Sequence, residues 1–136
     1  MSVAIEILDD LTELGRATRS RLHGPVVAVS GGSTYEALFG MWSGCDTETE
    51  FVPVDERKVG LSQAGSNWMV ATRLLLDPNG MSEQGLHWTP TAVHLDALVR
   101  RLVVTQPGFL PAIPQVWLGM GDDGHTASLF PGGREL

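Results

Sequence analysis

The chain has 136 residues, 43% of them hydrophobic and 18% charged, and nine Lys+Arg against sixteen Asp+Glu leave a net charge of −7. That length suits one domain with a real core, and the apolar fraction excludes a wholly disordered chain. A chain this acidic, with Lys58 its one lysine, is a poor match for nucleic acid or anionic lipid, so any anionic ligand must be met locally by backbone amides and a few arginines. No apolar run approaches the roughly 20 residues of a membrane span. Residues 1–22 lack a signal-peptide layout, and Cys45, the single cysteine, allows no internal disulfide. The expectation is a soluble, cytoplasmic protein.

Ala4, Ile7, Leu8, Leu11, Leu14 and Leu22 share one helical face over 4–22, with Thr18 as its polar interruption. Arg16, Arg19 and Arg21 follow near its end, where cations suit the helix dipole. The run from Pro25 to Val29, between Gly24 and Gly31, predicts a buried strand. Ser33 or Thr34 is placed to cap a helix whose apolar side is Tyr35, Leu38, Met41 and Trp42. Residues 51–54 predict a second strand, with Pro53 marking an edge or an early end. Ser66 caps an expected helix running to Leu76, stopped by Asp77-Pro78-Asn79-Gly80. Leu95, Leu98, Val99 and Leu102 mark another helix, and Gln115 to Leu118 a third strand. There is no repeat or linker, so 1–136 reads as a single α/β domain: a mainly parallel, Rossmann-like three-layer sheet with helices on both faces. Ligands of such sheets collect beyond the carboxyl ends of the strands.

Three segments with unusual chemistry follow strands directly. In Ser30-Gly31-Gly32-Ser33-Thr34, two glycines let the backbone approach a ligand and the helix start offers N–H groups to an anion. The same residues also suit an ordinary capped turn, and a triphosphate P-loop is excluded because G-x-x-x-x-G-K-[ST] does not occur. In Asp55-Glu56-Arg57-Lys58, Arg57 can grip a phosphate bidentately in a way Lys58 cannot, although a solvated charge cluster explains an isolated set of this kind as well. The third segment begins Gly119-Met120-Gly121-Asp122-Asp123-Gly124-His125 and literally matches G-x-G-x-x-G. A dinucleotide fingerprint is rejected, because Asp122 and Asp123 would stand where a pyrophosphate needs amides. What remains is His125 beside two carboxylates, a candidate general base whose tautomer a carboxylate can set. A histidine that merely packs is the plainer alternative. A metal site of Asp122, Asp123 and His125 is disfavoured, since adjacent acids in a tight turn diverge. His23, His87 and His94, the four tryptophans, Met41, Met69, Met120 and Cys45 read as packing or surface residues.

The run from Leu118 to Gly132, Gly-Met-Gly-Asp-Asp-Gly-His-Thr-Ala-Ser-Leu-Phe-Pro at its centre, resembles the signature of the 6-phosphogluconolactonases, part of a wider group with the glucosamine-6-phosphate deaminases. Val29 to Thr34 resembles the family's phosphate loop, Asp55-Glu56-Arg57 its acid-acid-arginine segment, and Ser66-Asn67 falls at the family spacing. Arg57 and the residues after His125 favour the lactonase branch over an aminosugar-phosphate isomerase or deaminase. Tyr35 replaces the usual proline, residues 59–62 lack a proline- and aspartate-rich stretch, and the chain stops where family members continue, so an incomplete lactonase domain is expected.

The resemblance implies hydrolysis of 6-phospho-D-glucono-1,5-lactone to 6-phosphogluconate in the pentose phosphate pathway, without metal or organic cofactor. It implies His125 as general base, Asp55 or Asp123 orienting it, and Ser30, Gly31, Gly32, Ser33, Thr34 and Arg57 on the phosphate or sugar hydroxyls. A shortened chain could instead bind sugar phosphates without activity, or self-associate through an uncovered sheet edge.

Overall fold

The computed structural model describes residues 4–45, 48–57, 59–81 and 115–133. Helix α1 spans Leu11–Arg21, strand β1 Val26–Val29, helix α2 Ser33–Met41 and strand β2 Glu50–Pro53. Helix α3, Asn67–Ala71, runs on through a π turn, Thr72–Leu76, and a 3-10 turn, Asp77–Asn79, and strand β3 is Gln115–Trp117. The three strands are all parallel, in the order β2-β1-β3. The expected helix around Leu95 to Leu102 lies outside the described residues, as do His87, His94 and Trp88.

Strand β1 is central and buried along its length because both faces are apolar. Val27 and Val29 join Phe51, Leu38, Phe39, Trp42, Leu75 and Leu76 in the main cluster, against which Trp117 packs. Val26, Ala28 and Val52 form a smaller cluster on the opposite face. Pro53 ends β2, which among the described residues is an edge strand. The N–H groups of Glu50 and Val54 donate to Pro25 and Val29 of the β1 segment, so the alternation points the missing N–H of Pro53 away from the ladder.

Helix α1 is shorter than its periodicity predicts. Asp10 is extended and its carboxylate accepts the Glu13 N–H at 2.8 Å, while the Glu13 carboxylate accepts the Asp9 N–H at 2.9 Å. This reciprocal cap starts the helix after Asp10, and Ile7 stands 89% exposed instead of on the buried face. Thr18 is no interruption: it is buried, its hydroxyl donates to the Leu14 carbonyl at 2.7 Å, and it accepts the Trp42 indole N–H at 3.0 Å. In α2, Phe39 takes the buried place expected for Met41. Met41 instead lies over α1 at Gly15, where any Cβ would overlap its sulfur.

Candidate active site

Parallel pairing brings three carboxyl ends to one edge of the sheet. Val54 N–H donates to Val29 O, and Ser30 N–H to Trp117 O, so the chain leaves β1, β2 and β3 side by side. The segments after them line a cleft of about 200 Å³ that holds Ser30 to Tyr35, Asp55, Arg57, Asn67, Gly119, Gly121, His125 and Ala127. All the site residues expected from the sequence except Asp123 line it, and Asp123 touches His125 from outside.

The turn after β1 needs its two glycines for different reasons. Gly32 has φ 97° and ψ 171°, a conformation essentially closed to L side chains, and it is the N-cap of α2. Gly31 lies against Asn67, whose side chain would overlap a Cβ there. Neither Ser33 nor Thr34 caps the helix, contrary to expectation: Gly32 holds that place and no side chain bonds to the helix start. The first intrahelical bond from this turn runs from Glu36 N–H to Gly32 O, which leaves the N–H groups of 33–35 without helical acceptors. The residues that carry these amides and hydroxyls line the cleft, at the positive end of the helix dipole. Tyr35 is buried; its ring edge fills the gap beside Gly119, and burial pushes its phenol up to about 12.

After β2, the three charged residues separate in role. Glu56 is buried and does not face the cleft. One of its carboxylate oxygens accepts the N–H groups of Arg57 and Asn67 at 2.7 and 2.8 Å, and the other accepts the Ser66 hydroxyl and the Trp68 N–H at 2.9 Å each. Ser66 in turn accepts the Met69 N–H as the cap of α3. Glu56 thus fastens the 55–57 segment to the start of α3, a task that reading the segment as a surface charge cluster missed. Arg57 remains exposed, with one N–H donated to the Gly65 carbonyl at 2.8 Å. Asp55 accepts from the Asn67 amide at 3.2 Å and from the Ser128 hydroxyl at 2.5 Å.

After β3, the backbone folds tightly around the imidazole. Gly121 N–H donates to His125 O at 2.8 Å, and a Cβ at Gly121 would overlap the ring. Of the two acids expected to orient His125, Asp123 does so: one carboxylate oxygen meets Nδ1 at 2.5 Å and the His125 backbone N–H at 3.1 Å. Asp55 is instead occupied by Asn67 and Ser128. A carboxylate can only accept, so Nδ1 carries the hydrogen and Nε2 presents a lone pair. These two bonds, the side-chain one first, hold the Asp123 carboxyl below its usual range. Phe130 stacks on the ring, with centroids 4.8 Å apart. Met120 is 79% exposed at the cleft, so it is not a packing residue. Among the described residues, no three His, Cys, Asp or Glu side chains gather as a metal-holding group.

The fold and this cleft define an α/β domain that collects polar and ionisable groups at the carboxyl edge of a parallel sheet. A family model described as Glucosamine-6-phosphate isomerases/6-phosphogluconolactonase matches residues 2–136, and the chain belongs to that family. It is 34% identical over 131 residues to a 6-phosphogluconolactonase of Synechocystis, which covers 88% of this chain and 54% of the relative. It is also 34% identical over 116 residues to a 6-phosphogluconolactonase of Nostoc, covering 77% of this chain and 48% of that one. The chain therefore spans about half the length of these curated relatives. The crystal structure of a 6-phosphogluconolactonase from Shewanella baltica superposes with a TM-score of 0.70 at 28% identity, over 94% of this chain and 61% of that one. A Trypanosoma brucei 6-phosphogluconolactonase, 23% identical, shares the fold with a TM-score of 0.73 over 95% of this chain and 64% of its own.

Proposed function

We propose that the protein hydrolyses 6-phospho-D-glucono-1,5-lactone to 6-phosphogluconate in the pentose phosphate pathway. The observation that carries this reading is the His125–Asp123 pair, which leaves an imidazole lone pair at a cleft that the start of α2 also lines. In this reading Nε2 takes a proton from water as the water oxygen attacks the lactone carbonyl. The tetrahedral intermediate then expels the ring oxygen, which recovers that proton from the imidazolium, so His125 ends neutral. Asp123 holds the ring and stabilises its charged form. The phosphate lies on the 32–35 amides and hydroxyls with Arg57 beside them, and Asp55 accepts a sugar hydroxyl. The relatives named above are 6-phosphogluconolactonases by name, and Arg57 is a residue by which the resemblance implies that branch over the deaminase branch.

The reading includes a cytoplasmic setting, where such a phosphorylated lactone is made and consumed; among the described residues no helix is long and apolar enough to cross a membrane. It also includes self-association through the β3 side, where Val116 and Leu118 are more than half exposed, tested by sedimentation at two concentrations.

The deciding assay follows 6-phosphogluconate formation with a coupled dehydrogenase, after subtraction of spontaneous hydrolysis. The expected result is acceleration by the protein, a loss of about 10²–10⁴-fold in His125→Ala, and weak activity on the unphosphorylated lactone. A His125→Ala protein as fast as the parent, or equal kcat/KM on the two lactones, overturns the reading.

A further inference from the structure

We propose that Ser128 is a positioning residue that clasps the histidine loop to the end of β2 through Asp55; the inference rests on the lactonase reading for its kinetic consequences. Burial does not place His125. Its segment is half-buried to exposed, and the apolar side chains around it, Met120, Leu129 and Phe130, are about half exposed or more. The bonds inside the segment, from Gly121 to His125 and between Thr126 and Leu129, set its local shape but not its place over the cleft. Among the described residues, two hydrogen bonds leave the segment 119–133. One is the long contact of 3.5 Å from Gly119 N–H to the Ser30 hydroxyl, and the other is Ser128 to Asp55 at 2.5 Å.

Asp55 is itself anchored. The Asn67 amide donates to its carbonyl at 3.0 Å and to its carboxylate at 3.2 Å, and Asn67 is buried at the first position of α3. A continuous chain of contacts therefore leads from the core to the loop that carries the imidazole. Delivering Ser128 to Asp55 takes an unfavourable backbone: Ala127 has φ 53° at the first position of the two-residue Thr126–Leu129 turn. Ser128 is exposed, so water could satisfy its hydroxyl equally well. What the bond to Asp55 adds is location.

The test compares Ser128→Ala, Ser128→Thr, Asp55→Ala and the double variant Asp55→Ala/Ser128→Ala, by steady-state kinetics and by amide hydrogen exchange over 121–129. Ser128→Ala is expected to lower kcat about tenfold through misplacement of His125, with KM changed less than about twofold, and to speed exchange in the loop. Ser128→Thr, which keeps the hydroxyl, restores most of both. In the Asp55→Ala background the serine substitution adds little, because its partner is already gone. Equal losses in Ser128→Ala and Ser128→Thr, additive effects with Asp55→Ala, or parental kcat and exchange in Ser128→Ala each overturn the clasp. If the parent protein fails to hydrolyse the lactone, the proposed function falls and the exchange arm alone decides: faster exchange in Ser128→Ala but not Ser128→Thr sustains the clasp, and unchanged exchange overturns it.

Discussion

The turn after β1 and the loop after β3 present polar groups to the same cleft, yet they are held by opposite means. The first is an extension of the core. Its strand is buried, its helix packs through Tyr35, Leu38 and Phe39, and its glycines answer one conformational and one steric demand. The second has little buried apolar surface, and its order comes from a carboxylate on an imidazole, a stacked Phe130 and one hydroxyl on Asp55. In the proposed function the first holds an anion, for which amides fixed by a buried strand and helix are suited. A proton-transfer group needs a set tautomer and a short reach, which local side-chain contacts supply without burying the ring. Changes near the first region should therefore register as lost stability, and changes near the second as lost rate at nearly constant stability.

The largest effect is expected where the core meets the site. Glu56→Ala leaves four donors, the Arg57 N–H and three at the start of α3, without their acceptor and should cost about 3 kcal/mol, read as a lowered denaturant midpoint; an unchanged midpoint would show that this carboxylate does not fasten the core side of the site. Asp123→Asn comes next and acts mainly on rate. It should lower kcat about ten- to a hundredfold, since a charged hydrogen-bond partner is lost, while thermal melting at neutral pH stays close to the parent's.

Its pH dependence sharpens the point. The Asp123 carboxyl is held low by His125, so whatever the pair contributes to stability is complete above the ordinary carboxylate range and is lost as pH falls through the lowered value. Asp123→Asn should abolish that acid-side dependence. An acid-side dependence that survives in Asp123→Asn would show that it comes from another group.

Arg57→Lys should raise KM about tenfold with kcat nearly unchanged and recover only part of what Arg57→Ala loses, because an ammonium cannot both reach the Gly65 carbonyl and grip a phosphate with a planar fork. Equal KM in the lysine variant and the parent would remove Arg57 from the binding wall. The smallest change is expected for Phe130→Leu. Ring stacking at a half-exposed position contributes about 0.5–1.5 kcal/mol, so stability should fall by no more than that and kcat about threefold; an unchanged kcat would show that the stack does not hold the imidazole.

Much of this was legible along the chain. Short apolar runs locate the three strands of the described residues, the first of them bounded by Gly24 and Gly31, and Pro53 marks the edge of β2. The cap at Ser66 and the stop at Gly80 were read correctly, because each is a local hydrogen-bonding decision. The start of α1 was misplaced although its signal was present: Asp10 and Glu13 spell a reciprocal cap, and the apolar periodicity upstream outweighed it. The spacing of Ser66-Asn67 is visible in the sequence, but the contact of Asn67 with Asp55 is not, since nothing local relates residues twelve apart.

By itself, then, the sequence determined which residue types reach the carboxyl edge of a parallel sheet and in what order, because alternation, turn chemistry and helix starts are decided within a few neighbours. The tertiary structure alone decided the division of labour among them. Glu56 turns inward to a helix start while Arg57 turns outward, Asp123 and not Asp55 meets the imidazole, and Gly31 is small for the sake of Asn67. Those assignments depend on which side chains converge when the chain closes, and convergence in space leaves no periodic trace along the backbone.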